Sequence, residues 1–225
     1  MSNLLPIDFA AAPAQPRLGP GEVHLWRADL QGDPTEYSEV LSPEEWVRAG
    51  RFHFERDRRR FIAAHGLLRI ILAKYTGIAA HDLRFGAGPH GKPLLEPNFT
   101  GLQFNLSHSD ELMLLAVTRS REVGVDLEFM RENVPFESLA AHYFPPTDAW
   151  HIRTSPPAER AGLFYETWTI TEARLKAAGT GFAEPATVVQ PDRWSLRTLT
   201  PASGYAAALA VEGDPFELRC WSWQK

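Results

Sequence analysis

The run Val123-Gly124-Val125-Asp126-Leu127-Glu128-Phe129 constrains the fold more than any other stretch of the chain. It alternates with a period of two, so as a strand it turns Val125, Leu127 and Phe129 to one face and Asp126 and Glu128 to the other. Two acids side by side repel unless a cation joins them. Further along, Trp168-Thr169-Ile170-Thr171-Glu172-Ala173-Arg174-Leu175-Lys176 places Trp168, Glu172 and Lys176 one turn apart on a helix, so a carboxylate and an ammonium share a face. The two runs pose one question, whether Asp126, Glu128 and Glu172 meet around one metal. No rule of spacing alone brings them together.

A chain of 225 residues with 44% hydrophobic and 23% charged residues has the composition of a soluble globular protein, and its length fits one large domain or two small ones. The net charge of -5 gives no general attraction to nucleic acid, although a local basic cluster still suits a phosphate-bearing small molecule. The single cysteine, Cys220, forms no internal disulfide, and Arg219-Cys220-Trp221 reads as a strand rather than a nucleophile's setting. No apolar run approaches the roughly 20 residues that cross a bilayer, and Met1 to Pro6 lacks a basic start and an apolar core. A cytoplasmic protein with neither membrane nor nucleic acid as partner is expected. Residues 10–21, rich in Ala, Pro and Gly, read as an extended lead-in outside the core.

Val23 to Ala28 reads as the first strand. Ser42-Pro43-Glu44-Glu45 starts a helix with an N-cap, a first-turn proline and a capping-box glutamate. From Glu55 to Tyr75 a longer helix carries Phe61, Ala64, Leu68, Ile71, Leu72 and Tyr75 on one stripe, with Gly77 as its stop. Arg60 flanks that stripe and points toward a cleft, whereas Arg56, Arg58 and Arg59 read as solvated. Gln103 to Leu106 reads as a short strand leading into Ser107-His108-Ser109, which sets His108 at a strand-to-loop junction, and Leu112 to Val117 is a near-continuous apolar strand. In the second half Pro145-Pro146 and Pro156-Pro157 bracket a connecting segment, and a helix from about Ala158 to Ala178 ends at Gly179-Thr180-Gly181. Strands are expected near Thr187 to Gln190, Trp194 to Leu199, Tyr205 to Val211 and Leu218 to Trp223. Helices against mostly antiparallel sheets make this an α+β fold.

Gly86-Ala87-Gly88-Pro89-His90-Gly91-Lys92-Pro93 matches phosphate-loop spacing up to Pro93, where Ser or Thr is required, and no helix follows, so it reads as a Gly-Lys-Pro turn. Ser107 and Ser109 lack the elbow of a nucleophilic serine. Three carboxylates suit a hard cation such as Mg2+ serving substrate phosphates, and zinc lacks its Cys/His cluster. Taken alone, Glu172 and Lys176 also read as a surface ion pair of roughly 0.3–0.5 kcal/mol, Asp126 and Glu128 as a solvated strand face, and Arg60 and Lys92 as surface charges.

The joint order of these residues changes the reading. Arg60, Gly91-Lys92-Pro93, Phe104 to Ser109, Gly124-Val125-Asp126-Leu127-Glu128 and Trp168-x-x-x-Glu172-Ala173-x-x-Lys176 together resemble the 4'-phosphopantetheinyl transferases of the surfactin-synthetase type, over about residues 40 to 182. The resemblance implies a monomer of two similar α/β subdomains related by a pseudo-twofold axis, residues 1–120 and 121–225, each with a long helix packed on its sheet. Coenzyme A would lie between them. It further implies that Asp126, Glu128 and Glu172 hold Mg2+, with Mn2+ as an alternative. Lys176 would contact a phosphate, Glu172 would be a candidate base, and Arg60, Lys92, Ser107 and His108 would surround the nucleotide. The implied partner is an acyl or peptidyl carrier protein, whose serine receives the phosphopantetheine arm. A metal-dependent coenzyme A or nucleotide pyrophosphohydrolase and a non-catalytic carrier-binding module are the alternatives. Thr171 departs from the family, where a lysine commonly precedes the glutamate.

Overall fold

The computed structural model describes residues 4–31, 33–88, 90–131, 133–180 and 191–224. The strand expected at Thr187 to Gln190 lies outside the described residues. Two short strands, β1 (Leu5–Pro6) and β2 (Ala10–Ala11), precede β3 (Glu22–Asp29), and helices α1 (Thr35–Ser38), α2 (Pro43–Ala49) and α3 (Glu55–Thr76) follow. The hairpin of β4 (Phe85–Ala87) and β5 (Pro93–Leu95) leads to β6 (Leu102–Ser109), β7 (Leu112–Arg119) and β8 (Val123–Phe129). After α4 (Phe136–Tyr143), α5 (Pro146–Thr154) and α6 (Pro157–Ala178) come β9 (Trp194–Thr200), β10 (Tyr205–Glu212) and β11 (Glu217–Ser222).

Local chemistry sets the helix ends. At α2 the Ser42 hydroxyl accepts from the Glu45 amide at 3.3 Å, and the Glu45 carboxylate accepts from the Ser42 amide at 2.9 Å, the reciprocal box expected from the sequence. Pro43, Pro146 and Pro157 each open a helix, where a missing N–H is no loss. The two long helices stop at Gly77 and Gly179, whose φ values of 72° and 70° suit a residue without Cβ.

Two sheets, β1-β9-β10-β8 and β2-β11-β3-β7-β6, stack face to face between the long helices. Trp26, Met113, Leu115 and Val117 pack with Leu67, Leu68, Ile71 and Leu72 of α3, while Leu25, Leu112, Leu114 and Ala116 pack against Val125, Leu127, Leu209 and Val211 of the other sheet. Both faces of β7 are therefore buried, which is why its sequence is continuously apolar rather than alternating. On the far side Ala173, Leu175 and Ala177 of α6 lie on Ala208 and Ala210 of β10. The mixed architecture matches the expected α+β class.

Two expectations need correction. Ser107-His108-Ser109 are not a loop: β6 pairs with β7 up to Ser109 opposite Leu112 and closes on Asp110-Glu111, with Asp110 at φ 50°. The lead-in is not outside the fold either, because β2 pairs with β11 and Ala12 and Leu18 pack on the core. The chain ends also cross over, since the C-terminal β11 runs parallel to β3 in the five-stranded sheet and the N-terminal β1 joins the four-stranded one. Among the described residues no helix is long and apolar enough to cross a membrane.

Candidate active site

The two sheets meet at a seam between β6 and β8, and side chains replace the missing backbone ladder there. The Asn105 side-chain oxygen accepts from the Val125 amide at 2.8 Å, the Ser107 hydroxyl from the Leu127 amide at 3.2 Å and the Ser109 hydroxyl from the Phe129 amide at 3.0 Å. This period-two stitching fixes β8 and turns Asp126 and Glu128 toward α6 and β6. The Ser107 hydroxyl lies 3.2 Å from Asp126 Oδ1, and the Ser109 hydroxyl donates to Glu128 at 3.0 Å.

Gly124 sets how closely α6 approaches. A Cβ on it would stand 2.1 Å from the Ala173 carbonyl oxygen and 2.4 Å from the Ala177 nitrogen, so only a glycine lets the helix lie directly on β8. Across that contact the Lys176 ammonium donates to Asp126 Oδ1 at 2.5 Å and reaches the Ser107 hydroxyl at 3.1 Å.

Asp126 is 3% exposed, and its second carboxylate oxygen is buried without a hydrogen-bond partner, as is Glu172 Oε1. Burial, with the charges of Asp126 and Glu128 adding and that of Lys176 opposing, pushes the Glu172 carboxyl up to about 7. Burial and Asp126 likewise raise Glu128, opposed by Ser109, Lys176 and a hydrogen bond from Trp168. Trp168 packs, stacked on Phe164 at 5.8 Å and edge-on to Tyr143 at 5.4 Å, and it also touches an acid of the cluster.

Among the described residues no three acid, histidine or cysteine side chains already stand in coordinating geometry, and Asp126 is paired with Lys176. The donor chemistry nevertheless suits a hard divalent cation: the ligands are carboxylate oxygens, two of them buried without partners, and burial, with their mutual repulsion adding to it, has raised two carboxyl groups. Asp126, Glu128 and Glu172 are the residues that would hold it.

Beside the acids opens a cleft of about 360 Å³ lined by Arg48, His65, Phe104, Ser107, His108 and Lys176, among others. His108 is exposed at its rim. Ser107, Asp126, Glu128, Glu172 and Lys176 thus come together, with His108 at the edge. Arg60 is set apart, bound to Asp110 at 2.7 Å and lining a separate groove with Arg56 and Arg59. Lys92 lies outside both, its ammonium engaged by Glu122, Val123 and Ala177.

Sequence reading missed Arg48 and His65. Arg48 sits over the Phe61 ring at 5.3 Å, and the only sign of His65 was its place beside the apolar stripe of α3. Thr171 turns back onto its own helix, donating to the Thr167 carbonyl at 2.9 Å. Burial pushes the Cys220 thiol up to about 12, consistent with an inert strand residue.

A family model described as "4'-phosphopantetheinyl transferase, N-terminal" matches residues 26–120, and one described as "4'-phosphopantetheinyl transferase superfamily" matches residues 122–221. The chain is 38% identical over 219 residues to the 4'-phosphopantetheinyl transferase HetI of Nostoc sp. (strain PCC 7120), a match covering 90% of this chain and 92% of the relative. It is 25% identical over 163 residues to the 4'-phosphopantetheinyl transferase Sfp of Bacillus subtilis (strain 168), covering 72% and 71%. With the L-aminoadipate-semialdehyde dehydrogenase-phosphopantetheinyl transferase of Homo sapiens it shares 28% over 156 residues, covering 63% and 49%.

Proposed function

The chain belongs to the 4'-phosphopantetheinyl transferase superfamily, and from that premise we propose that it moves the phosphopantetheine arm of coenzyme A onto a serine hydroxyl of an acyl or peptidyl carrier protein, releasing adenosine 3',5'-bisphosphate. The observation that carries this reading is the meeting of Asp126, Glu128, Glu172 and Lys176 beside one cleft, where Gly124 lets α6 touch β8.

The nucleophile is the carrier's serine, so this chain's work is positioning and electrostatics. Breaking the pyrophosphate bond builds negative charge on the bridging oxygen, and the Lys176 ammonium neutralises it. Glu172, whose carboxyl is pushed up to about 7 before any cation joins the acids, is the candidate to take the serine proton, directly or through a water. Mg2+ or Mn2+ held by Asp126, Glu128 and Glu172 would supply charge neutralisation at the pyrophosphate oxygens. Ser107 and His108 contact the nucleotide in this reading and Arg60 approaches it from the neighbouring groove, with coenzyme A between halves 1–120 and 121–225, related by a pseudo-twofold axis in a cytoplasmic monomer.

Mass spectrometry of apo-carrier proteins incubated with this protein, coenzyme A and Mg2+ tests the proposal. The expected result is a carrier heavier by one phosphopantetheine arm, with Mg2+ required and adenosine bisphosphate released only when carrier is present. Release without carrier would identify a pyrophosphohydrolase, and binding without turnover a non-catalytic module. Either result overturns the transferase reading.

A further inference from the structure

We propose that Lys92 is a positioning residue, a clasp that ties the wall of the cleft to the end of the catalytic helix. The inference rests on reading this cleft as the coenzyme A site. The resemblance alone would make Lys92 a nucleotide contact. Its surroundings point elsewhere.

Lys92 closes the β4–β5 hairpin. Its carbonyl accepts from the Gly88 amide at 2.8 Å, and Gly91, at φ 84°, makes the turn. Its neighbours Gly91 and Pro93 line the cleft, whereas the Lys92 side chain runs the other way and is 9% exposed. Its stem passes the glycine that caps α6: a Cβ on Gly179 would stand 3.6 Å from Lys92 Cδ. The ammonium then donates to Glu122 at 2.6 Å, to the Val123 carbonyl at 3.1 Å and to the Ala177 carbonyl at 3.0 Å.

An ammonium has three donors, and here three acceptors take them, so a phosphate would have to displace a bond already made. Each acceptor also has a place in the site. Ala177 is in the last turn of α6, where carbonyls lack helical partners and a cation is favoured, and it follows Lys176 directly. Val123 opens the strand that carries Asp126 and Glu128, and Glu122 precedes it. One side chain thus joins the cleft wall, the acid strand and the end of the helix bearing Glu172 and Lys176. Losing it frees the turn that aims Lys176.

Hydrogen exchange and steady-state kinetics of Lys92→Met test this directly. The expected outcome is faster exchange of the amides at the end of α6, where Gly179 and Thr180 donate to the Leu175 carbonyl. With it comes a fall in kcat on the order of tenfold to a hundredfold, by the same factor with coenzyme A and with 3'-dephospho-coenzyme A. A simple phosphate ligand would behave otherwise, raising KM for coenzyme A alone and leaving the helix end untouched. Wild-type exchange, or a loss confined to coenzyme A, overturns the clasp. If Lys92→Met does not fold, Glu122→Ala, which removes one acceptor, is expected to show the same exchange change to a smaller degree, and wild-type exchange in it overturns the proposal. Exchange needs no turnover, so failure of the wild-type protein to modify a carrier would count against the transferase reading, while an unchanged α6 would count against the clasp alone.

Discussion

Glu45 and Glu172 are both glutamates on helices drawn out of solvent, one in each half of the chain, and their surroundings are opposite. Glu45 accepts from Arg69 Nε at 2.7 Å and from the Ser42 amide at 2.9 Å, with His65 Nδ1 at 3.2 Å. Arg69 in turn donates to the Ala80 and Leu83 carbonyls at 3.1 and 2.9 Å and lies over the Phe85 ring at 5.0 Å. Burial pushes the Glu45 carboxyl up, but the bonds from His65, Ser42 and Arg69 outweigh it and hold the group below its usual range. At Glu172 nothing outweighs burial. Two further acids add to it, and one of its oxygens has no partner. A buried acid with its bonds made serves the fold, whereas one held in conflict with its neighbours is poised for a cation or a proton.

The largest effect is expected where the satisfied network is broken. Arg69→Met leaves a buried carboxylate unpaired and is expected to cost about 3–5 kcal/mol, read as a lowered denaturation midpoint with an unchanged m-value. A loss below about 1 kcal/mol would show that the pair is no more than a surface bridge. Gly124→Ala probes the other region. Its Cβ would force α6 off β8, at about 1–3 kcal/mol of stability by urea denaturation. Transfer by the folded fraction is expected to fall as well, because Glu172 and Lys176 move away from Asp126. Retained activity would mean the close contact is mere packing.

The pH dependence is smaller. As pH falls below the ordinary glutamate value of 4.5, the unfolded chain takes up a proton that folded Glu45 still refuses. Its stabilisation is therefore full above that value and lost as pH falls through the folded pKa, with a slope of up to about 1.4 kcal/mol per pH unit. Denaturant midpoints of the wild type and Glu45→Gln between pH 6 and pH 3 should converge toward the acid end. Parallel curves would remove Glu45 from the account.

Much of this contrast was legible in the sequence and some was not. The alternation of β8 and the helical spacing of Glu172 and Lys176 placed each acid and the lysine on the right element, because both patterns are local. That the elements touch depends on Gly124 meeting Ala173, a contact between residues far apart in the chain that no periodicity encodes. Ser42-Pro43-Glu44-Glu45 announced its capping box, but not that Glu45 also reaches Arg69 on α3, so Arg69 stayed hidden within an apolar stripe. The strand read at Gln103 to Leu106 stopped short at Ser107-His108-Ser109, which set His108 at a strand-to-loop junction. In the fold the hydroxyls of Ser107 and Ser109 stand in for a strand ladder across the seam to β8. The short N-terminal strands had no sequence signature, since β1 and β2 pair over two residues each, and the strand expected at Leu218 to Trp223 gave no sign that it joins β3.

The central claim is that the acids in conflict, and not those at peace, do the chemistry. It is tested most directly by mass spectrometry of an apo-carrier protein incubated with coenzyme A, Mg2+ and either the wild-type protein or Glu172→Gln, the latter shown to be folded by circular dichroism. The account predicts that the wild type adds a phosphopantetheine arm while Glu172→Gln is slower by about 10²–10³-fold or more. Full transfer by folded Glu172→Gln would contradict it.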